Sequence, residues 1–496
     1  MTKSALISTA LIFLVVAGSL PMTAGAEETP AFMRSNDNSW AAAAQTDAPD
    51  PGQLNEQSID WQQASALTDT FIVQKNFWRT AIEVTGLNAL IWSFDRYIRE
   101  GGTNPGFRIG FNSWAENLKN GMEWDDNSFS TNQFSHPYHG SLYFNAARSN
   151  GYNFWESAPF VFAGSLQWEY FGEVHHASMN DWVATSVGGI AVGEVLHRLS
   201  LTVRDNTARG SSRNWKELGG FVINPMEGLN RIIDGDWHRV HANPADQYPN
   251  NYRSKMDLGF RKTADENLFA TNDTTGLYME FNFDYGDPFY GDMEAPFDHF
   301  DFDLQLNFKD ASLFGRAELN GLLAGTFLEE TEPVSHILGA FHHFDYVNNS
   351  KVKFGAQSLG AGLLSKYMTS HGLEIRTELH ANAILLGASL SDYQTFSGRT
   401  YDYGPGASAG FTAEFGANGW HFLRVSHEEY FIHTVNGTDS DHYIGATRVA
   451  LNVPVTANIG AGMEYVLYTT EKVYDEYENT SSRAPQLRVF TTVLLN

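Results

Sequence analysis

The feature that most constrains this chain is a period of two running through its second half. In Phe300-Asp301-Phe302-Asp303-Leu304-Gln305-Leu306-Asn307-Phe308 every second residue is apolar. Leu277, Met279, Phe281, Phe283 and Tyr285 alternate with Tyr278, Glu280, Asn282 and Asp284, and Leu373, Ile375, Thr377 and Leu379 with Glu374, Arg376, Glu378 and His380. The chain closes on Leu487, Val489, Thr491, Val493 and Leu495 in the same rhythm. Successive side chains of a strand point to opposite faces, so each run is a strand with one apolar and one polar side. About twelve such segments follow one another, near 255–262, 276–286, 298–309, 312–328, 334–347, 351–367, 372–389, 406–417, 419–433, 440–453, 455–470 and 484–496.

A soluble sandwich alternates in the same way, but several of these strands are longer than such a sheet uses, and charges fill their polar face. Strands of about 9–11 residues or more, apolar outside and polar inside, are what a bilayer demands. Lipid offers the backbone no hydrogen bonds, so such a sheet must close on itself. A mean hydropathy of −0.31 agrees, since alternating strands barely register on hydropathy. Rings suited to an interfacial girdle stand at Tyr285, Phe289 and Tyr290 and at Tyr465, Tyr468 and Tyr474.

The N-terminus carries the marks of export: Lys3, an apolar stretch from Ala5 to Leu20, and the small-residue site Ala24-Gly25-Ala26. Residues 1–26 therefore read as a signal peptide and 27–72 as a flexible polar lead-in. From 73 the period changes to that of a helix, with Phe77, Ala81, Val84, Leu87, Leu90 and Ile91 forming one stripe. Helix starts are expected at Pro137 and Pro159 and at an Asn180-Asp181 cap, and Gly189 and Gly193 permit a close helix crossing. Residues 206–250 read as irregular and polar. The expected class is α+β: a helical module over 73–250, its last part an irregular linker, then an outer-membrane β-barrel over 251–496.

Composition removes several chemistries. With no Cys, the chain has no disulfide, thiol nucleophile, Cys-ligated metal or Cys-linked lipid anchor. A net charge of −26 disfavours nucleic acid, whose phosphates need Lys and Arg. The expected partner is outer-membrane lipid. No P-loop and no H-E-x-x-H occurs, and no cofactor is called for.

If the chain does chemistry, the residues lie in 132–198. Glu169 and Glu173 share a helix face, and paired carboxylates raise one another's proton affinity. His136 and His139 flank a helix start, and Asp181 stands at another. These five are the candidate catalytic residues. Each also has a structural reading: a histidine hydrogen-bonded in a core, or a carboxylate matched by Arg148 or Arg198. Glu194-x-x-His197 has di-metal spacing but lacks the second motif such sites need, so no metal is assigned. Gly406-Ala407-Ser408-Ala409-Gly410 opens a strand, where no nucleophile elbow can form.

The run from Phe134-Ser135-His136-Pro137-Tyr138-His139-Gly140 to Arg148, then Ser165-Leu166-Gln167-Trp168-Glu169-Tyr170-Phe171-Gly172-Glu173, Asn180-Asp181, Gly188-Gly189 and Gly193-Glu194, resembles an uncharacterised domain-of-unknown-function family of Gram-negative envelope proteins. The resemblance covers about 76–231. It implies a helical module in an exported protein and transfers no activity. Three functions are consistent with the sequence. The foremost is a structural or interaction barrel whose module is periplasmic or plugs the lumen. The second is an envelope enzyme acting on lipid or lipopolysaccharide through His136, His139 and Glu169. The third is a channel selective through Glu280, Asp301, Arg376 and Glu378.

Overall fold

The computed structural model describes residues 74–495 apart from 245–246, 269–273, 292, 309–311, 332, 394–398 and 418. The expected signal peptide and lead-in lie outside the described residues. Twelve strands close into one antiparallel barrel. They are β1 (Tyr252–Thr263), β2 (Thr274–Tyr285), β3 (Phe300–Asn307), β4 (Phe314–Glu330), β5 (Val334–Asn348), β6 (Lys353–Met368), β7 (Leu373–Leu390), β8 (Tyr401–Ala417), β9 (Trp420–His433), β10 (Ser440–Pro454), β11 (Ile459–Tyr474) and β12 (Thr480–Leu494). β12 pairs back onto β1, from Gln486 opposite Thr263 to Leu494 opposite Lys255, which leaves no edge. Gly406 to Gly410 lie inside β8, as the strand reading of that segment requires.

Parity along the strands separates lumen from wall. Arg448 on β10 reaches Glu318 on β4 at 2.7 Å, and because those strands are not neighbours the pair crosses the lumen. Residues in phase with it fill the interior. Toward one end they form an apolar layer of Val347, Phe354, Ile384, Ile432, Ile444 and Tyr468. Toward the other, the β2–β3 connection packs Phe289 against Ile337, Phe341 and Leu364. Between them the charges pair, leaving a cavity of about 80 Å³. The barrel thus carries its own core, and Tyr468 and Tyr474 belong to the interior rather than to a girdle; Tyr465 does face outward.

The helices precede the barrel: α1 (Phe77–Tyr97), α2 (Phe111–Asn120), α3 (His136–Ser149), α4 (Phe154–Phe171), α5 (Met179–Val183), α6 (Gly189–Val203), α7 (Gly210–Ile223) and α8 (Pro225–Ile233). Asn76 caps α1 by accepting from the Arg79 N–H at 3.0 Å. α4 starts five residues before Pro159, because Asn153 and Glu156 close a capping box ahead of it. Ser178, not Asn180, caps α5. The segment read as irregular holds α7 and α8; its Arg213 and Glu217 are buried as a pair, and its Glu227 is paired with Arg204.

The module does not plug the lumen. Wall residues of the opposite phase, among them Phe283, Phe300, Leu319, Phe344, Tyr346, Leu386 and Tyr403, share one apolar cluster with Phe144, Ile190 and Val195 of the helices. Phe134 stacks on Phe314 with ring centroids 4.3 Å apart, and Phe129 on Tyr346 at 5.6 Å. The Gly188 N–H donates to the Gln357 side chain at 3.2 Å. The helices therefore dock on the outside of the barrel, over a patch running from β2 to the start of β8.

Candidate functional site

Two tight features set the site. α3 and α6 cross at Gly140 and Gly189: a Cβ on Gly189 would lie 2.6 Å from the Gly140 Cα, and one on Gly193 2.8 Å from the Phe144 ring. Each of these helices is entered through a π-turn, Thr131–Ser135 before His136 and Ala184–Gly188 before Gly189. Single π-turns recur at functional sites, because the extra residue per turn re-aims the side chains beside it. Here they bring His136 and Thr185 face to face.

The His136 Nδ1 lies 3.1 Å from the Thr185 hydroxyl, and its Nε2 lies 3.5 Å from Asp181 Oδ2. Asp181 and Thr185 are four residues apart across the start of the π-turn and present to one ring. His136 is 11% exposed and Asp181 6%, so the pair is largely sheltered from solvent. Burial lowers His136 to about 4, against which the Asp125 charge acts, and so holds the ring neutral at neutral pH.

Carboxyl groups crowd behind it. Asp125, on the segment after a two-residue strand pairing of Met122–Glu123 with Ala177–Ser178, accepts from Asn132 and Asn180, both at 2.7 Å. Asn180 also donates to Asp181 at 2.8 Å. Glu169 accepts the Ser178 N–H at 2.8 Å, and Glu173 accepts from the Trp168 indole at 3.0 Å. Burial first, and then the neighbouring carboxylates, push Glu169 and Asp181 far above the ordinary range. Burial raises Glu173 to about 7. The barrel joins in: Asn132 donates to the Tyr401 and Tyr403 hydroxyls at 2.9 and 2.8 Å, and Arg399 donates to the Asp125 carbonyl at 3.0 Å.

The structure therefore brings His136, Asp181, Glu169 and Glu173 into one polar region. His139 belongs to its edge. Its Nε2 meets the Tyr143 hydroxyl at 2.8 Å, Tyr143 donates in turn to Asn88, and Trp168 stands edge-on at 5.5 Å. Burial, and then His136, lower His139 to about 3. Neither Arg148 nor Arg198 pairs with Glu173: both go to Glu194, at 3.0 and 2.9 Å, which makes Glu194 structural. Among the described residues no group of three or more His, Asp or Glu is placed to hold a metal ion.

Asp125, Thr185, Tyr401 and Tyr403 escaped the sequence reading. Thr185 carried a faint signal, its spacing of four from Asp181. Asp125 and the tyrosines carried none, being joined to the site only by the fold.

The raised Glu173 gives a test of this electrostatics. Above pH 7 the folded protein must hold a buried charge that the unfolded chain holds in water, so this group's contribution falls as pH rises from about 4.5 to about 7. Glu173→Gln is accordingly expected to be more stable than the parent above pH 7, with the difference vanishing toward pH 4.5. Thermal melts across that range check it; a difference independent of pH would contradict the charged cluster.

Fold and site together define a closed β-barrel that carries a polar-centred helical module on its outer wall. The sequence model of a domain of unknown function (DUF3943) matches residues 121–226, which hold Asp125, Asn132, His136, His139, Glu169, Glu173, Asp181 and Thr185. No curated protein matches the chain. The barrel resembles outer-membrane barrels of bacteria. An outer membrane channel of Pseudomonas putida F1 is 11% identical with a TM-score of 0.27, over 51% of this chain and 99% of that one. The channel DcaP of Acinetobacter baumannii is 8% identical with a TM-score of 0.23, over 49% and 96%. The outer membrane phospholipase A of Escherichia coli is 10% identical with a TM-score of 0.22, over 50% and 91%. Likenesses of that size assign neither substrate nor activity.

Proposed function

We propose that this chain is an outer-membrane enzyme that cleaves or transfers an acyl group of an envelope lipid, with His136 as general base. The observation that carries this reading is the line from Thr185 Oγ1 through His136 to Asp181, set where two π-turns meet. A hydroxyl, a neutral imidazole and a carboxyl in series are the parts of an activated nucleophile. In this reading His136 Nδ1 takes the Thr185 proton as the hydroxyl oxygen attacks the ester carbonyl, then returns it to the departing alkoxide. Water afterwards hydrolyses the acyl-threonine by the same base. Glu169 and Glu173 supply a store of exchangeable protons, and Asn180, bonded to both Asp125 and Asp181, holds Asp181 in place. The pairing of lumen charges, as of Arg448 with Glu318 and Arg488 with Glu280, favours this over the channel reading.

The experiment compares lipid profiles by mass spectrometry between a strain lacking the chain and strains carrying the parent, His136→Gln or Thr185→Val. Loss of a general base removes about 10²–10⁴ of rate, so both variants are expected to give the profile of the deletion strain. Heat-modifiable gel migration and fractionation with the outer membrane control for assembly. Identical profiles in the parent and the deletion strain would end the enzyme reading. They would leave the structural one, in which the same polar groups fasten the module to Tyr401 and Tyr403.

A further inference from the structure

We propose that the helical module lies in the bilayer beside the barrel, its outer face in contact with lipid hydrocarbon. Helices α1 and α8 are built inside out for water. Along α1 the outward row is Trp78, Ile82, Leu90, Phe94 and Tyr97, with Trp78 74% exposed and Ile82 69%. The buried row of the same helix holds Thr80, Asn88 and Asp95 beside a single apolar residue, Val84. A helix facing water does the reverse, turning its apolar stripe to the core.

The charges of the module make the same point. Arg204, Arg213, Glu217 and Glu227 are buried and paired with one another, and Glu194 is enclosed by Arg148 and Arg198. Ionisable groups in a membrane protein face the bundle interior and pair there, because lipid cannot solvate them. α7 and α8 turn Trp215, Leu218, Ile232 and Ile233 outward in exchange. An apolar surface of this extent on a water-facing domain would be an aggregation site.

Continuity with the barrel names the occupant. On β5, Leu338 is 45% exposed on the bare wall, while Phe344 and Tyr346 on the same face lie under the module. β7 repeats this with exposed Leu379 and covered Leu386. One apolar wall is thus bare where the module ends and covered where it begins, so the module's outer face extends the lipid-facing surface. No helix among the described residues is long and apolar enough to cross a membrane. The module accordingly lies along the barrel within the apolar layer without spanning it. This placement stands apart from the activity proposed above.

The Cys-free chain makes the test clean. Full-length Trp78→Cys and Leu90→Cys carry a nitroxide label, with Leu451→Cys on the bare wall and Tyr477→Cys in the β11–β12 turn as references. Each protein is folded into phosphatidylethanolamine–phosphatidylglycerol vesicles, and closure is checked by heat-modifiable migration. Collision with oxygen, which concentrates in hydrocarbon, is compared with collision with a water-soluble nickel chelate. Both module sites are expected to match Leu451→Cys, with an oxygen-to-nickel ratio several-fold above that of Tyr477→Cys. A ratio like that of Tyr477→Cys would place the module in water and overturn the proposal. Low collision with both reagents would also overturn it, pointing to a second copy or another protein on that face. Should either module variant not close, quenching of the unmodified chain by brominated acyl chains decides. Nine of its twelve tryptophans, Trp78 to Trp237, belong to the module, so emission left wholly unquenched counts against the proposal.

Discussion

Glu217→Ala is expected to unfold the far end of the helical module while the barrel stays closed. Glu217 on α7 is 1% exposed and is held by three guanidinium groups, Arg231 at 2.6 Å, Arg213 at 3.1 Å and Arg204 at 3.6 Å. Arg204 keeps a second partner, Glu227, at 2.8 Å, but Arg231 and Arg213 lose their carboxylate outright. Removing one partner of a buried ion pair leaves uncompensated charge in a medium that cannot solvate it, typically at about 3–5 kcal/mol. The barrel's hydrogen-bond ladder passes through none of these residues. Protease digestion should therefore cut the variant between α6 and α8 at temperatures where the parent resists. Heat-modifiable migration of the barrel should be unchanged, and Glu217→Gln should fall between the two. A variant as resistant as the parent would show that the guanidinium groups find other partners.

The second large effect concerns Gly140. A Cβ there would lie 1.8 Å from the Thr185 carbonyl oxygen and 2.9 Å from the Gly189 Cα. Both obstacles are backbone, so no rotamer change relieves them, and α3 must separate from α6. Overpacking of this kind costs about 1–3 kcal/mol and more where backbone has to move. Gly140→Ala should lower the melting temperature accordingly. It should also abolish any His136-dependent change in lipid profile at temperatures where the protein is folded, because the shift carries Thr185 away from the imidazole. Gly86 on α1 is the control: nothing lies within 4 Å of its added Cβ, so Gly86→Ala should stabilise by about 0.5–1 kcal/mol. An unperturbed Gly140→Ala would mean that the crossing does not position the site.

The twelve strands were legible because alternation is a local property: each residue's face follows from its neighbour's, and lipid outside against charge inside keeps the two faces distinct. Most borders fall within a few residues, the largest offset being at β8, which begins at Tyr401 rather than near 406. The helices were harder to read for a physical reason. Where Arg213, Glu217 and Glu227 are buried and Trp215 and Ile232 exposed, polarity no longer tells inside from outside. A segment rich in charge then looks like a loop. The same inversion hid the role of α1, whose apolar residues lie on two faces, Val84 buried and Leu90 exposed.

By itself the sequence determined a closed barrel of about twelve strands, a helical module ahead of it, and a cluster of His136, His139, Glu169, Glu173 and Asp181 as the place where chemistry could occur. Only the tertiary structure decided that the module docks on the outer wall, since a strand's alternation names its two faces without saying what covers either. The tertiary structure also supplied Thr185, Asp125, Tyr401 and Tyr403 to the site. Those residues meet through a glycine crossing, two π-turns and a docking contact spanning more than 250 residues of chain, as between Asn132 and Tyr401. Encounters of that range depend on packing, which no local pattern encodes.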